Sequence, residues 1–149
     1  MIIYYVFIIS LLVTAIYFDL KTFHIPNSLN LCGCGLGCIY TLIFQGIYQV
    51  KASLLGMIIP VVLLFIFFIF KLIGAGDIKL LAAIGAFVQA DIFKVIIIAM
   101  FLTAVYGIGV VLFKLAKLII HNQWTYKTTC IHMSIPIGVA TCIFLIGGM

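Results

Sequence analysis

The chain has 149 residues, 67% of them hydrophobic and only 7% charged, with a net charge of +5 and a mean hydropathy of +1.46. Soluble domains carry about 25% charged residues, so the composition excludes a water-soluble globule; scattered lysines and the absence of arginine argue against a nucleic-acid partner. What remains is an all-α membrane protein: at roughly 20 residues per span, a compact bundle of about six transmembrane helices forming one domain over residues 1–149.

The first helix is expected from Met1 to Phe18, ending at Asp19; it lacks a basic start and a small-residue cleavage site, so it reads as a retained span and not a signal peptide. The second is expected from Leu29 to Tyr48. A turn around Gln49, Lys51 and Ser53 leads to a third from Leu54 to Ile73, kinked at Pro60, whose freed carbonyl a neighbouring helix can satisfy. Next comes Gly74-Ala75-Gly76-Asp77. The fourth segment, Ile78 to Ala90, is short, and its Ala82, Ala83, Gly85 and Ala86 suit close helix packing. A long fifth helix from Ile92 to Ile119, a polar loop from His121 to Cys130 and a sixth helix from Ile131 to Gly147 complete the chain.

Lysine placement bears on whether the short fourth segment crosses. If all six segments cross, Lys21, Lys71, Lys79, Lys114, Lys117 and Lys127 fall on one side and Lys51 and Lys94 on the other; if the fourth turns back, the eight lysines divide evenly. Six crossings, with both termini outside, give the stronger orientation signal. In that topology Asp19 and Asp77, two of only three acidic residues, lie at one depth near the cytoplasmic face.

An ionisable group beside a long apolar run is costly and reads as functional. Two carboxylates sharing a site do not both ionise cheaply, so one keeps its proton while the other acts as base. Such a pair can activate a water against a peptide carbonyl and protonate the leaving nitrogen, without metal or cofactor. Gly74 and Gly76 remove side chains where an extended substrate backbone would approach, and they permit unusual dihedrals before a helix. Asp77 is placed at that helix's N-terminus. Pro26 pushes Ile25 out of the helical region, and Asn27 or Ser28 is positioned to cap the second helix.

Asp19, followed after six residues by Pro26-Asn27 and later by Gly74-Ala75-Gly76-Asp77-Ile78-Lys79-Leu80-Leu81, resembles the type IV prepilin peptidases, the bacterial branch of the GxGD aspartyl proteases. The resemblance covers both motifs, their order and the six-helix plan. It implies a membrane aspartyl endopeptidase that removes the basic leader from prepilin or pseudopilin substrates at the cytoplasmic face of the bacterial inner membrane, typically after glycine. Asp19 and Asp77 would be the catalytic pair, with Gly74, Ala75, Gly76, Pro26 and Asn27 shaping the site. Lys79 also matches and joins them as a site-shaping or substrate-binding residue, with an interface anchor as the plainer reading. The cytoplasmic insertion with paired CxxC motifs found in the larger, methylating members is missing, so the chain is similar to the short, peptidase-only form associated with tight-adherence (Flp) pili, and N-methylation is not expected. Signal peptide peptidase and presenilin share a glycine-aspartate motif, but their Pro-Ala-Leu element has no counterpart here.

Other features have plainer readings. Cys32, Cys34 and Cys38 lie in a glycine-rich stretch that reads as a helix-packing surface, not a metal site, and five cysteines, an odd count, do not suggest a disulfide framework. His24, His121 and His132 read as interfacial, Trp124 and Tyr126 as interface anchors, and Asp91 as a solvated turn residue. Ile135-Pro136-Ile137-Gly138 reads as a kink or close-packing point, with substrate positioning as the alternative. The competing function is a proton- or cation-coupled transporter, which also uses membrane carboxylates at broken helices.

Overall fold

The computed structural model describes residues 2–22, 25–70, 73–121 and 133–147. Among them the chain forms six α-helices: α1 (Ile2–Thr22), α2 (Asn27–Phe44), α3 (Ile47–Ile69), α4 (Ala75–Val88), α5 (Ile92–His121) and α6 (Ser134–Gly147), with a 3-10 turn, Gln89–Asp91, between α4 and α5. Each expected segment contains one of these helices. Among the described residues four stretches are long and apolar enough to cross a membrane: Ile3–Thr22, Asn27–Phe44, Ile47–Ile69, and Ala75–Phe113, which runs through the 3-10 turn. His121, expected to open the polar loop, is the last residue of α5; the rest of that loop, with Trp124, Tyr126 and Cys130, lies outside the described residues, as do His24 and His132.

Several boundaries differ from expectation: α2 starts at Asn27, α3 ends at Ile69 and α4 starts at Ala75, and two further differences have identifiable reasons. The turn after α2 is at Gln45-Gly46, where Gly46 takes φ 91°, a left-handed conformation that suits glycine. Gln49, Lys51 and Ser53, expected as a turn, therefore lie inside α3. Gln49 and Lys51 are exposed near its start, while Ser53 is buried and donates to the Ala86 carbonyl at 2.7 Å. At the other end, α1 continues past Asp19 to Thr22, which puts that carboxylate inside the last turn.

The short fourth helix is the centre of the molecule. Ile78 and every residue from Leu80 to Val88 are buried, and α1, α2, α3 and α5 all touch α4. A helix that is apolar on every side is stable when neighbours cover every side. Small residues allow the approach, as expected. On α2 the inward stripe is Asn30, Gly33, Gly37 and Thr41; a Cβ on Gly33 would stand 2.2 Å from Leu11 Cδ1, and one on Gly37 2.5 Å from Ala86 Cβ. The glycines rather than the cysteines carry that seam, since Cys32 is exposed and Cys34 and Cys38 are half-buried.

Across the other seam, Pro60 sits inside α3 and is buried. A helical proline leaves the carbonyl four residues earlier without its donor, here that of Gly56. That carbonyl lies against α4 at Gly85, where an added Cβ would come within 2.0 Å of it, close enough for a Cα–H···O contact. Beyond this seam Gln89, at φ 60°, closes the turn, and its amide donates to Gln45 at the end of α2. Asp91 is exposed and paired with Lys94 at 2.7 Å, the solvated turn residue expected. Ile43, Ile58, Phe65, Ile97 and Phe113 are each more than half exposed. Such a belt of apolar side chains suits an integral membrane protein whose solvent is lipid.

Candidate active site

Asp19 and Asp77 meet because α1 ends where α4 begins. Ile8, Leu11, Leu12 and Ala15 bury the inner face of α1, and the helical repeat carries that face on to Asp19, which is 9% exposed. Asp77 is the third residue of α4. Gly74 precedes the helix in an extended conformation, φ −75° and ψ 146°, and its carbonyl accepts from the Asp77 amide at 3.2 Å. The two carboxylates, 58 positions apart in sequence, are close enough to interact electrostatically.

The glycines before Asp77 differ in what they do. A Cβ on Gly74 would stand 2.9 Å from Asp77 Oδ2, so the missing side chain leaves room for the carboxylate. On Gly76 a Cβ would meet Ile25 at 3.5 Å, an ordinary contact. Neither has a positive φ, so the unusual dihedrals expected of them are not used. Gly74 and Ala75 are exposed and Asp77 half-buried, which leaves the site open on the glycine side.

The Pro26-Asn27 element reaches the same place from α2. Ile25 and Pro26 are non-helical, and Ile25 is buried. The Pro26 carbonyl accepts from the amides of Leu29 at 3.1 Å and Asn30 at 3.4 Å, which starts the helix. Pro26 is itself the N-cap residue, and no side chain caps α2, contrary to the role expected of Asn27 or Ser28. Asn27 is used elsewhere: its Oδ1 accepts from Lys79 Nζ at 2.8 Å. Lys79 is thus a tie between α4 and α2, and not simply an interface anchor. One turn further on, Asn30 Nδ2 donates to the Gly76 carbonyl at 3.4 Å.

Two residues at the site escape sequence reasoning. Asn30 is 3% exposed, and its Oδ1 has no partner among the described residues; its polarity on an apolar helix, one turn after Asn27, is the signal that points to it. Ser134 opens α6, and its Oγ donates to Asp19 Oδ2 at 2.5 Å. Nothing local marks it, because the two residues are 115 positions apart. Among the described residues no group of three or more His, Cys, Asp or Glu side chains is placed to hold a metal ion.

Two carboxylates within electrostatic reach of each other can share a proton through a bound water, the requirement for hydrolysis by general acid and base. No curated protein and no solved structure matches the chain significantly. The sequence model of the type IV leader peptidase family matches residues 6–108, a segment that holds α1 to α4 almost entire, with Asp19, Pro26-Asn27 and Gly74 to Lys79. With well over half its length matched, the chain belongs to the type IV leader peptidase family.

Proposed function

We propose that the chain is an aspartic-type endopeptidase that cuts the basic leader from a prepilin or pseudopilin at the cytoplasmic face of the bacterial inner membrane, after a glycine. The observation that carries this reading is the approach of Asp19 and Asp77 at the joined ends of α1 and α4. One carboxylate takes a proton from water as its oxygen attacks the scissile carbonyl carbon. The other, protonated, donates to the carbonyl oxygen; a proton then passes to the amide nitrogen as the C–N bond breaks. The open side at Gly74-Ala75 suits an extended substrate backbone. The lysine distribution favours a cytoplasmic site, where anionic lipids attract a basic leader while the apolar pilin helix packs against the exposed belt.

Co-expression with a prepilin-like protein from the same genome, followed by sequencing of the mature amino terminus, tests the assignment. A new terminus just after a glycine is expected, and an uncut substrate would overturn the reading.

The two glycines give a sharper result. Gly74→Ala forces the Asp77 carboxylate aside, and a displacement near 1 Å can cost about 100-fold, so its cleavage rate is expected to fall by about 10-fold or more. Gly76→Ala is expected to stay within about 3-fold of wild type, since Ile25 meets the added methyl at ordinary distance. Equal losses in time courses of leader removal would contradict the role given to Gly74.

The Lys79–Asn27 tie is exposed, so its loss is expected to change stability by less than about 1 kcal/mol. Lys79→Met and Asn27→Ala are each expected to slow cleavage by less than about 10-fold. Combined, they slow it no further than either alone, because coupled partners are not additive. Independent, multiplying effects would show that the tie is not what these residues contribute.

A further inference from the structure

We propose that Ser134 is a positioning residue for this reaction: its hydroxyl holds the Asp19 carboxylate in place, so that the site is completed by α6. The inference rests on Asp19 being one of the catalytic pair. Ser134 lies outside the matched segment 6–108, and nothing in the two aspartate motifs points to it.

Ser134 is fully buried, Asp19 is 9% exposed, and the Oγ–Oδ2 separation is 2.5 Å. A buried hydroxyl costs free energy unless it is bonded, and one that donates to a carboxylate makes a charge-assisted bond, stronger than one between neutral groups. Serine at a helix start ordinarily serves its own backbone; here the hydroxyl is turned across to α1.

The packing around the bond sets its geometry. Four residues along α6, Gly138 faces Ile16, whose Cδ1 would lie 3.0 Å from an added Cβ. Ile16 and Asp19 are neighbours three apart on α1, as Ser134 and Gly138 are four apart on α6, so both contacts lie along one helix–helix seam. The Ile137 amide donates to the Met133 carbonyl at 3.2 Å, and Pro136 and Ile137 are buried beside it. The start of α6 is therefore anchored by its own backbone and by apolar packing. Ser134 adds the polar contact to Asp19, and a carboxylate held within a few tenths of an ångström is what activation of a water needs. The Ile-Pro-Ile-Gly element thus acts on the site through α1, by seating the serine that precedes it.

The test uses the full chain in detergent micelles with a synthetic prepilin-like peptide carrying a lysine-rich leader, a glycine and an apolar helix. Ser134→Ala is expected to lower kcat by about 10- to 100-fold with KM within about 2-fold and little change in the thermal midpoint. Ser134→Thr, which keeps the hydroxyl, is expected to recover most of the rate. Should the alanine variant fail to fold, Ser134→Cys preserves the volume with a weak donor and is expected to show the same loss of kcat. Wild-type kcat in a folded alanine or cysteine variant overturns the inference. So does a threonine variant as slow as alanine, with both losing thermal midpoint in proportion, since the bond would then be only a staple between α1 and α6. A wild-type chain that leaves the peptide intact overturns the peptidase reading and this inference with it; an active wild type with an unaffected Ser134→Ala overturns this inference alone.

Discussion

Asp77→Asn is expected to abolish leader removal, with a fall of about 1,000-fold or more, while the bundle stays folded. Asparagine matches aspartate in shape, so the space over Gly74 remains filled and the start of α4 keeps its Asp77-to-Gly74 backbone bond. What is lost is the ability to take up and release a proton. General acid–base catalysis by one group contributes about 100- to 10,000-fold, and in a pair that exchanges one proton the loss of either member removes the function of both. Asp19→Asn is therefore expected to be as severe, and the double variant no worse than either single one. Asp19→Asn also keeps an oxygen that can accept from Ser134, so its effect is chemical rather than a repacking of α6. Processed and unprocessed substrate separated by gel, with Gly35→Ala, whose added methyl meets nothing within 4 Å, as a folded control, measure the result. Cleavage that survives either asparagine would remove that aspartate from the mechanism.

The second large effect concerns stability. Gly85→Ala is expected to lower the thermal midpoint in detergent by roughly 6–12 °C, a figure that follows from a cost near 3 kcal/mol at about 2–4 °C per kcal/mol for a chain of this size. A methyl on Gly85 would stand 2.0 Å from the Gly56 carbonyl oxygen, and one on Gly56 would stand 2.3 Å from that of Gly85 and 2.8 Å from Gln89 Cα. These obstacles are backbone atoms, so no rotamer relieves them and α3 and α4 must separate. Separation also strains the Ser53 bond to the Ala86 carbonyl on the same seam. Overpacking typically costs about 1–3 kcal/mol, and α3–α4 is the most extensive helix pair among the described residues, which places this site at the upper end. Gly35→Ala is the control: nothing lies within 4 Å of its added methyl, and alanine favours a helix over glycine by about 1 kcal/mol. Its midpoint is expected to hold or rise. Equal behaviour of the two variants would show that the glycine seam does not govern stability.

How much was legible beforehand varied with the range of the interaction. The helical segments and the small-residue seam of α2 follow from hydropathy and from spacing, because long apolar runs in lipid satisfy their own backbone as helices. The start of α3 did not follow. Gln49, Lys51 and Ser53 suggest a turn, yet a helix tolerates polar residues where two face outward and one finds a carbonyl on α4. The stop lay at Gly46, a single glycine among several. The partner of Lys79 does not follow either: helical geometry turns it away from Asp77, but does not say that Asn27 of another helix waits on that side.

By itself, the sequence determined the solvent, the helical class, the two aspartate motifs and the family those motifs indicate, since each depends on composition or on residues close together along the chain. The tertiary structure alone decided which groups surround the carboxylates: Gly74 as the space for Asp77, the ties from Asn27 and Asn30 to α4, and Ser134 against Asp19. Gly74 lies only three positions before Asp77; the two ties and the Ser134 bond are contacts between helices, fixed by how small residues let α1 and α2 pack around α4 and α6 pack against α1. Their partners lie between 46 and 115 positions apart, beyond the reach of any local periodicity.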